Sequence, residues 1–307
     1  MIAVEARECR QESAAEAWSY IEAFSRHHPL LGSSEQERLR TSCVGIVGMG
    51  GVGGIHLATL ARAGIGAFHL ADPDEFEVVN FNRQHGASVR TLGRNKAIVM
   101  AEEARAINPD VQLLAMPEAI TSANVGQFLE GVDVLIDGLD FFALATRRLV
   151  YAAARQRGIH VVTAGPLGFG TSWLVFAPDG MSFDRYFDLH DDMPALDQLA
   201  AFAVGLAPRA LHARYLDFAA IKFREGRLPS AALACHLCSG VAAAETLRLL
   251  LDRGDVRCAP YYCQFDPYLR TFRAGYLRGG NRHPMQRLKR WWLRRQARRL
   301  GWDCKLS

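Results

Sequence analysis

A short apolar run, Val44-Gly45-Ile46-Val47, feeds directly into Gly48-Met49-Gly50-Gly51-Val52-Gly53-Gly54, a loop with five glycines in seven positions. A helical pattern (Ile55, Leu57, Ala58, Leu60, Ala61) follows to Ala63, and Gly64 closes it. A strand that turns into a helix over so glycine-rich a loop commits the chain to opening a βαβ unit. Backbone N–H groups in such a loop can approach a phosphate, helped by the helix dipole, which makes Gly48, Gly50, Gly51 and Gly53 candidate nucleotide contacts. By itself the loop is most often the mark of a nicotinamide dinucleotide. Asp72, ending a second strand Phe68-His69-Leu70-Ala71, fits that reading and others, because an acid there grips a ribose hydroxyl.

The same alternation continues. Helices are expected at about 94–107, 125–129 and 142–156, and strands at 111–114, 132–136 and 160–163. That order gives an α/β chain with a Rossmann-like, doubly wound, mostly parallel sheet and helices on both faces. Beyond residue 170 the reading is a strand at 171–176, an acidic irregular stretch at 181–195 and a helical region at 197–220. A long Ala/Leu helix at 231–252 and two short strands at about 260–266 and 269–276 follow. These strands extend the sheet rather than founding another. Ser33 with Gln36 reads as a capping box for a short helix. The divisions are a helical lead-in over 1–41, a nucleotide-binding domain over 42–280 and a basic tail over 281–307.

Charge supports the last boundary. Residues 282–307 carry seven arginines and two lysines against one aspartate, a formal +8, which leaves −4 on residues 1–281. Half the residues are hydrophobic and 22% are charged, as in a soluble globular protein. The N-terminus shows no apolar signal segment, and no uninterrupted apolar run reaches the ~18 residues of a membrane span. A cytoplasmic location is expected, and the odd number of cysteines, seven, fits a reducing compartment.

The residues after Asp72 narrow the choice of nucleotide. Asp72-Pro73-Asp74, then Asn80, Arg83-Gln84 and Gly93-Arg94-Asn95-Lys96, resemble the ThiF/MoeB/HesA superfamily of ubiquitin-activating-type adenylyltransferases, whose pattern is D-x-D, N-x-x-R-Q and G-x-x-K. Asp137-Gly138-Leu139-Asp140 is similar to the family's D-x-x-D, with Thr146-Arg147 after it. The resemblance covers roughly residues 24–175. It implies ATP and magnesium as ligands and a carboxylate converted to an acyl-adenylate. It places Arg83 and Lys96 on the phosphates, Asp140 on the magnesium and Asp72 on ribose, with Asp74 beside it. Asn80 and Gln84 would give polar contacts around the nucleotide.

Arg26, in Phe24-Ser25-Arg26-His27, lies where the family supplies an arginine to a partner subunit's ATP, although Phe24 and His27 depart from the family's tyrosine and glutamine. A homodimer with composite sites follows from that resemblance. The implied acceptor is the C-terminus of a small ubiquitin-like or sulfur-carrier protein, or of a peptide precursor. The alternatives are an NAD(P)-dependent oxidoreductase, which would leave Arg83, Lys96 and Asp140 without a task, and a non-catalytic nucleotide-binding adaptor.

Cys235-His-Leu-Cys238 has the spacing of half a zinc site, but Cys258 and Cys263 are irregularly spaced, and zinc is not expected. Cys235, at a helix start, is the best candidate for a reactive thiol. The reading nonetheless expects the chemistry to stop at the adenylate or to pass directly to an outside nucleophile. In the tail, Leu288, Trp292 and Arg295 share a stripe that Trp291 widens. Such a face suits an anionic membrane, an acidic protein or RNA, or it packs on the body.

Overall fold

A computed structural model describes residues 18–301. Its frame is one eight-stranded sheet in the order β3-β2-β1-β4-β5-β6-β7-β8. The parallel half is formed by β1 (Cys43–Val47), β2 (Ala67–Ala71), β3 (Gln112–Met116), β4 (Val134–Asp137) and β5 (His160–Leu167). Pairing turns antiparallel at β6 (Gly170–Phe176), β7 (Tyr261–Asp266) and β8 (Thr271–Tyr276). The C-terminal strands therefore extend the same sheet, as the sequence led us to expect.

The helices are α1 (Tyr20–Ala23), α2 (Ser33–Thr41), α3 (Gly53–Arg62), α4 (Lys96–Ile107), α5 (Val125–Phe128) and α6 (Leu144–Gln156). They continue with α7 (Phe183–Phe187), α8 (Ala195–Leu206), α9 (Ala232–Leu251) and α10 (Pro284–Arg299). Because strand side chains alternate between faces, each strand feeds two cores. Val44, Ile46, Phe68, Leu70, Val134 and Ile136 pack with α3, α4 and α9 on one face. Val47, Ala71, Leu135 and Val161 pack with α5, α6, α7 and α8 on the other. The apolar helix α9 is long enough by composition to cross a membrane. Here it lies on β5, β6 and α3, with Cys235, Cys238, Ala242 and Leu250 in the core.

Several local expectations move. The helix read as capped by Ser33 and Gln36 begins at Ser33, and its cap is Gly32, whose N–H donates to Glu35 Oε2 at 2.8 Å. Gln36 instead donates to Tyr20 Oη at 2.9 Å and to the Ala63 carbonyl at 3.1 Å, tying the lead-in to the end of α3. Residues 1–17 of that lead-in lie outside the described residues. The acidic stretch read as irregular contains α7, capped by Ser182 and anchored by the buried rings of Phe183, Tyr186 and Phe187. The helical region after 195 ends at Leu206, and short 3₁₀ turns at Leu211–Arg214, Phe218–Ala220 and Phe223–Glu225 replace its second half.

His56, in the first turn of α3, is 1% exposed, and neither ring nitrogen has a partner. Burial pushes its pKa down to about 4, with the Asp137 carboxylate opposing only in part. An unfolded imidazole binds its proton near pH 6.5, so the unfolded chain gains protons first as the pH falls. The contribution is complete above about pH 6.5 and is lost on descent toward pH 4. Urea midpoints for wild type and His56→Leu should therefore diverge with pH. The wild type is expected to lose about 2 kcal/mol more than the variant between pH 7.5 and 5. Parallel curves would contradict this.

Candidate active site

The glycine loop falls at the C-terminal edge of the sheet where the strand order reverses between β1 and β4, the usual position of a ligand crevice in such folds. Its glycines divide into two kinds. Gly48 has φ +86°, and a Cβ there would lie 2.5 Å from the Gly138 carbonyl oxygen. A Cβ on Gly53 would collide with the Gly48 carbonyl oxygen, and one on Gly138 would do the same from the β4 side. These glycines exist because backbone meets backbone. Gly50 and Gly51 are different. A Cβ on Gly50 would meet nothing nearer than Gln84 Nε2 at 3.7 Å, and one on Gly51 would meet Cys235 Sγ at 3.4 Å. The protein does not need glycine there for its own packing, which leaves the open face to a ligand.

Around the loop the carboxylates have distinct duties. Asp72 is 5% exposed; its Oδ2 accepts from the Met49 N–H at 2.6 Å and its Oδ1 from the Asp74 N–H at 2.8 Å. Burial raises its pKa, while these two backbone donors and Lys96 pull the other way. Asp72 thus clamps the glycine loop to the end of β2 and keeps lone pairs on the cavity. Asp74, at the rim, pairs with Lys96 Nζ at 3.0 Å. Lys96 is 6% exposed and opens α4 after the cap Asn95, so its ammonium is held by the first turn of a helix.

Asp137 is consumed internally. Its Oδ2 accepts from Arg147 Nε at 2.7 Å and Tyr151 Oη at 2.9 Å, and its Oδ1 from the Leu139 N–H. Arg147 also donates to the Leu139 carbonyl at 2.7 Å and lies 4.6 Å over the Phe202 ring. Asp140 stays exposed, its Oδ1 accepting only from the Phe142 N–H at 2.9 Å.

A cavity of about 660 Å³ gathers these groups. Gly48, Gly50, Gly51, Asp72, Asp74, Arg83, Gln84, Lys96 and Asp140 all line it. Gly53 supports the loop from beneath. Asn80 is turned away: its Oδ1 accepts from the Glu77 N–H, and its carbonyl accepts from the N–H groups of Arg83 and Gln84. It shapes the turn that presents those two side chains and does not line the cavity. Gln84 Oε1 is buried without a partner. The magnesium implied for Asp140 fits the donor set, because a small hard cation needs only one or two carboxylates when phosphates complete its shell. Among the described residues no three His, Cys, Asp or Glu side chains converge as a metal site.

The model of the ThiF family matches residues 24–284. The chain belongs to the ThiF family. It is 35% identical over 121 residues to a tRNA threonylcarbamoyladenosine dehydratase of Bacillus subtilis, covering 39% of this chain and 48% of that protein. Over 178 residues it is 36% identical to the sulfur carrier protein adenylyltransferase of Thermus thermophilus, covering 56% and 62%. The chain thus spans about half to three-fifths of the length of these curated relatives. The Escherichia coli tRNA N6-threonylcarbamoyladenosine dehydratase TcdA, solved in complex with ATP, superposes with a TM-score of 0.55 at 25% identity over 76% of this chain and 95% of that one. PaaA superposes with a TM-score of 0.62 at 19% identity over 83% and 73%, which speaks to fold alone.

Among the described residues of this ThiF-family chain, Cys43, Cys235 and Cys238 are buried and Cys258 and Cys263 are partly buried. Cys235 begins α9 and is 1% exposed; burial raises its pKa, against the Ser230 hydroxyl and Arg83, which lower it. The helix-start effect expected for Cys235 is outweighed by desolvation. Cys238 is fully buried, 3.1 Å from Thr171 Oγ1. Arg26 lies on an exposed 3₁₀ turn (Ser25–His27) and does not line the cavity. Arg147, visible in sequence only as part of Thr146-Arg147, is the group that fixes Asp137, and only burial marks it.

Two outcomes follow from this packing. In thermal denaturation Gly50→Ala and Gly51→Ala should stay within about 1 kcal/mol of wild type, whereas Gly48→Ala and Gly53→Ala should each lose more than about 3 kcal/mol. Arg147→Met strands the Asp137 charge in the interior and should cost about 3–5 kcal/mol in urea unfolding. A near-neutral Arg147→Met would contradict this.

Proposed function

We propose that the chain binds ATP over the glycine loop and transfers AMP to a carboxylate, releasing pyrophosphate. The observation that carries this reading is the convergence of open-faced Gly50 and Gly51, the cations Arg83 and Lys96 and the exposed Asp140 on one cavity. In the transfer, a carboxylate oxygen attacks the α-phosphorus. The new C–O–P bond replaces the bond from that phosphorus to the bridging oxygen, and the electron pair leaves with pyrophosphate. The acceptor is already ionised at neutral pH, so no general base is needed.

The protein's work is positioning and charge neutralisation. Arg83 and Lys96 neutralise charge on the phosphates, and Lys96 exchanges its Asp74 partner for a phosphate oxygen. Asp72 and Asp74 hold the ribose hydroxyls. Gln84 offers its unpartnered oxygen to the nucleotide. Asp140 holds magnesium, which would supply further neutralisation of the leaving group. Asn80 acts through the turn it shapes. Arg26 reaches the cavity of a second copy in a homodimer. Nicotinamide chemistry would give the two cations and Asp140 nothing to do. The acceptor is a carboxylate of the kind that relatives named as sulfur-carrier adenylyltransferases use, or the C-terminus of a peptide.

Radiolabelled ATP–pyrophosphate exchange tests the reading. With a competent acceptor, Arg83→Ala, Lys96→Ala and Asp140→Asn should each lower exchange by about 10²–10³. Gly50→Ala and Gly51→Ala should weaken ATP binding at least about tenfold while the protein stays folded. Cys235→Ser should retain exchange within about twofold. Tight NAD binding with no exchange would overturn the reading.

A further inference from the structure

The cavity is larger than its nucleotide-gripping groups require and has two unlike halves. Over β1, β2 and β3 lie the glycine loop, Asp72, Asp74, Gln84 and Lys96. Over β5 the cavity continues between α8, residues 210–230 and the inner face of α10. This second half is lined by Leu199, Phe202, Leu216, Phe218, Trp292 and Leu293. It is partly enclosed, with Trp292 half-exposed at its outer side. Close packing at β5 brings α8 down onto the strand, where a Cβ on Gly165 would lie 2.8 Å from Leu206 Cδ2. Helix α10 is held over it by Arg290 to Asp188 at 2.8 Å, Arg282 to Asp188 at 3.0 Å and Arg294 to Asp197 at 3.0 Å.

Apart from Asp137, Asp140 and Arg147 at its border, the ionisable groups lining this half among the described residues are His212 and Lys289. His212 is withdrawn from charge–charge recognition, though its Nδ1 is buried without a partner, and Lys289 belongs to no ion pair among the described residues. Burial pushes His212 down to about 4, with Asp266 opposing, so the ring is neutral at neutral pH. Lys289 Nζ is spent on the Pro208 carbonyl at 2.5 Å and on Gln286 Oε1.

A chamber with this lining discriminates by what it leaves unpaired. A peptide ending in Gly-Gly brings no side chain to fill it and must bury its N–H and C=O groups against a mostly apolar lining. A large apolar group, whether the last side chain of a peptide or the tail of a free acid, gains from burial there what Gly-Gly cannot. Lying on the far side of Asp140 from the ribose acids, the chamber is where the body of an acceptor sits once its carboxylate reaches the α-phosphorus. We propose that the acceptor is a carboxylate carried directly on a bulky apolar group, received by the chamber between α8, residues 210–230 and α10. This rests on the adenylation reading above and narrows its acceptor. The covalent step is unchanged: the same carboxylate oxygen displaces pyrophosphate.

The test combines ATP binding by calorimetry with pyrophosphate exchange on the full chain. The acceptors are peptides ending in Phe or Leu, free arylalkanoic and medium-chain acids, and peptides ending in Gly-Gly or Ser. At least one apolar set should exceed the Gly-Gly and Ser peptides by about tenfold or more in kcat/KM, and which apolar set wins tells peptide from small acid. Leu293→Glu should raise KM for the apolar acceptor about tenfold with the ATP Kd within twofold. Leu199→Ala, which enlarges the chamber, should shift preference to a bulkier apolar group, an effect that misfolding does not produce. Gly-Gly or Ser peptides matching or beating the apolar acids would overturn the inference and leave adenylation standing. Tight ATP binding without exchange on any apolar acid would also overturn it. Failure to bind ATP at all would remove the adenylation reading itself.

Discussion

The molecule turns on a contact that contains no side chain. Where β1 and β4 part at the strand-order reversal, the backbone of Gly48 rests against the backbones of Gly53 and Gly138. Because no Cβ intervenes, the loops after the two strands close on each other, and α3 starts directly above the gap. Asp72 then ties the loop to β2 through the Met49 N–H, and the Gly48 N–H donates to the Ala71 carbonyl at 2.7 Å. Three neighbouring strands are thereby locked at one point, and every ligand-facing group is placed relative to it. A single methyl group at that point would move the whole site.

The two acids of Asp137-Gly-Leu-Asp140 show how a local constraint divides labour. They are three residues apart and both border the cavity, yet the Asp137 oxygens are taken by protein donors, Arg147 and Tyr151 among them, while Asp140 stays exposed. The buried pair is costly to desolvate and costly to break, which makes it a poor source of net stability and a strict enforcer of geometry. It fixes the backbone at Leu139 through both the N–H and the carbonyl. The exposed carboxylate next door is consequently held in place by a neighbour whose own oxygens are spent on protein donors.

Much of this could be read from the residues in order. The strand–glycine–helix start, the alternation through β5 and the spacing from Asp72 to Lys96 are local signals, and local signals survive in a sequence. The division of the glycines into packed and open positions could not be read, because it depends on Gly138, some ninety residues away. Asn80 looked like a nucleotide contact, since sequence shows that a polar residue is present but not where it points; here it caps its own turn. The acceptor half was hidden for the same reason. Residues 181–230 offered only a helical stretch and no motif, and they border the cavity only where the chain folds back beneath α10.

The closure of α10 uses charges whose signs are segregated along the chain. The acids Asp188 and Asp197 lie in the body, and the arginines Arg282, Arg290 and Arg294 lie in the tail. Burial pushes the Asp188 pKa up, but the two guanidiniums outweigh that and hold it below the usual range. Such a latch is short-ranged and partly solvated, so dissolved ions compete with it at a Debye length of about 8 Å or less under physiological salt and above. The nucleotide half is knit chiefly by backbone contact at the glycines, with the single Lys96–Asp74 pair at its rim. Salt would therefore loosen one wall of a single cavity while leaving the opposite wall rigid. Ionic strength then acts on the α10 side of the cavity more than on the glycine-loop side.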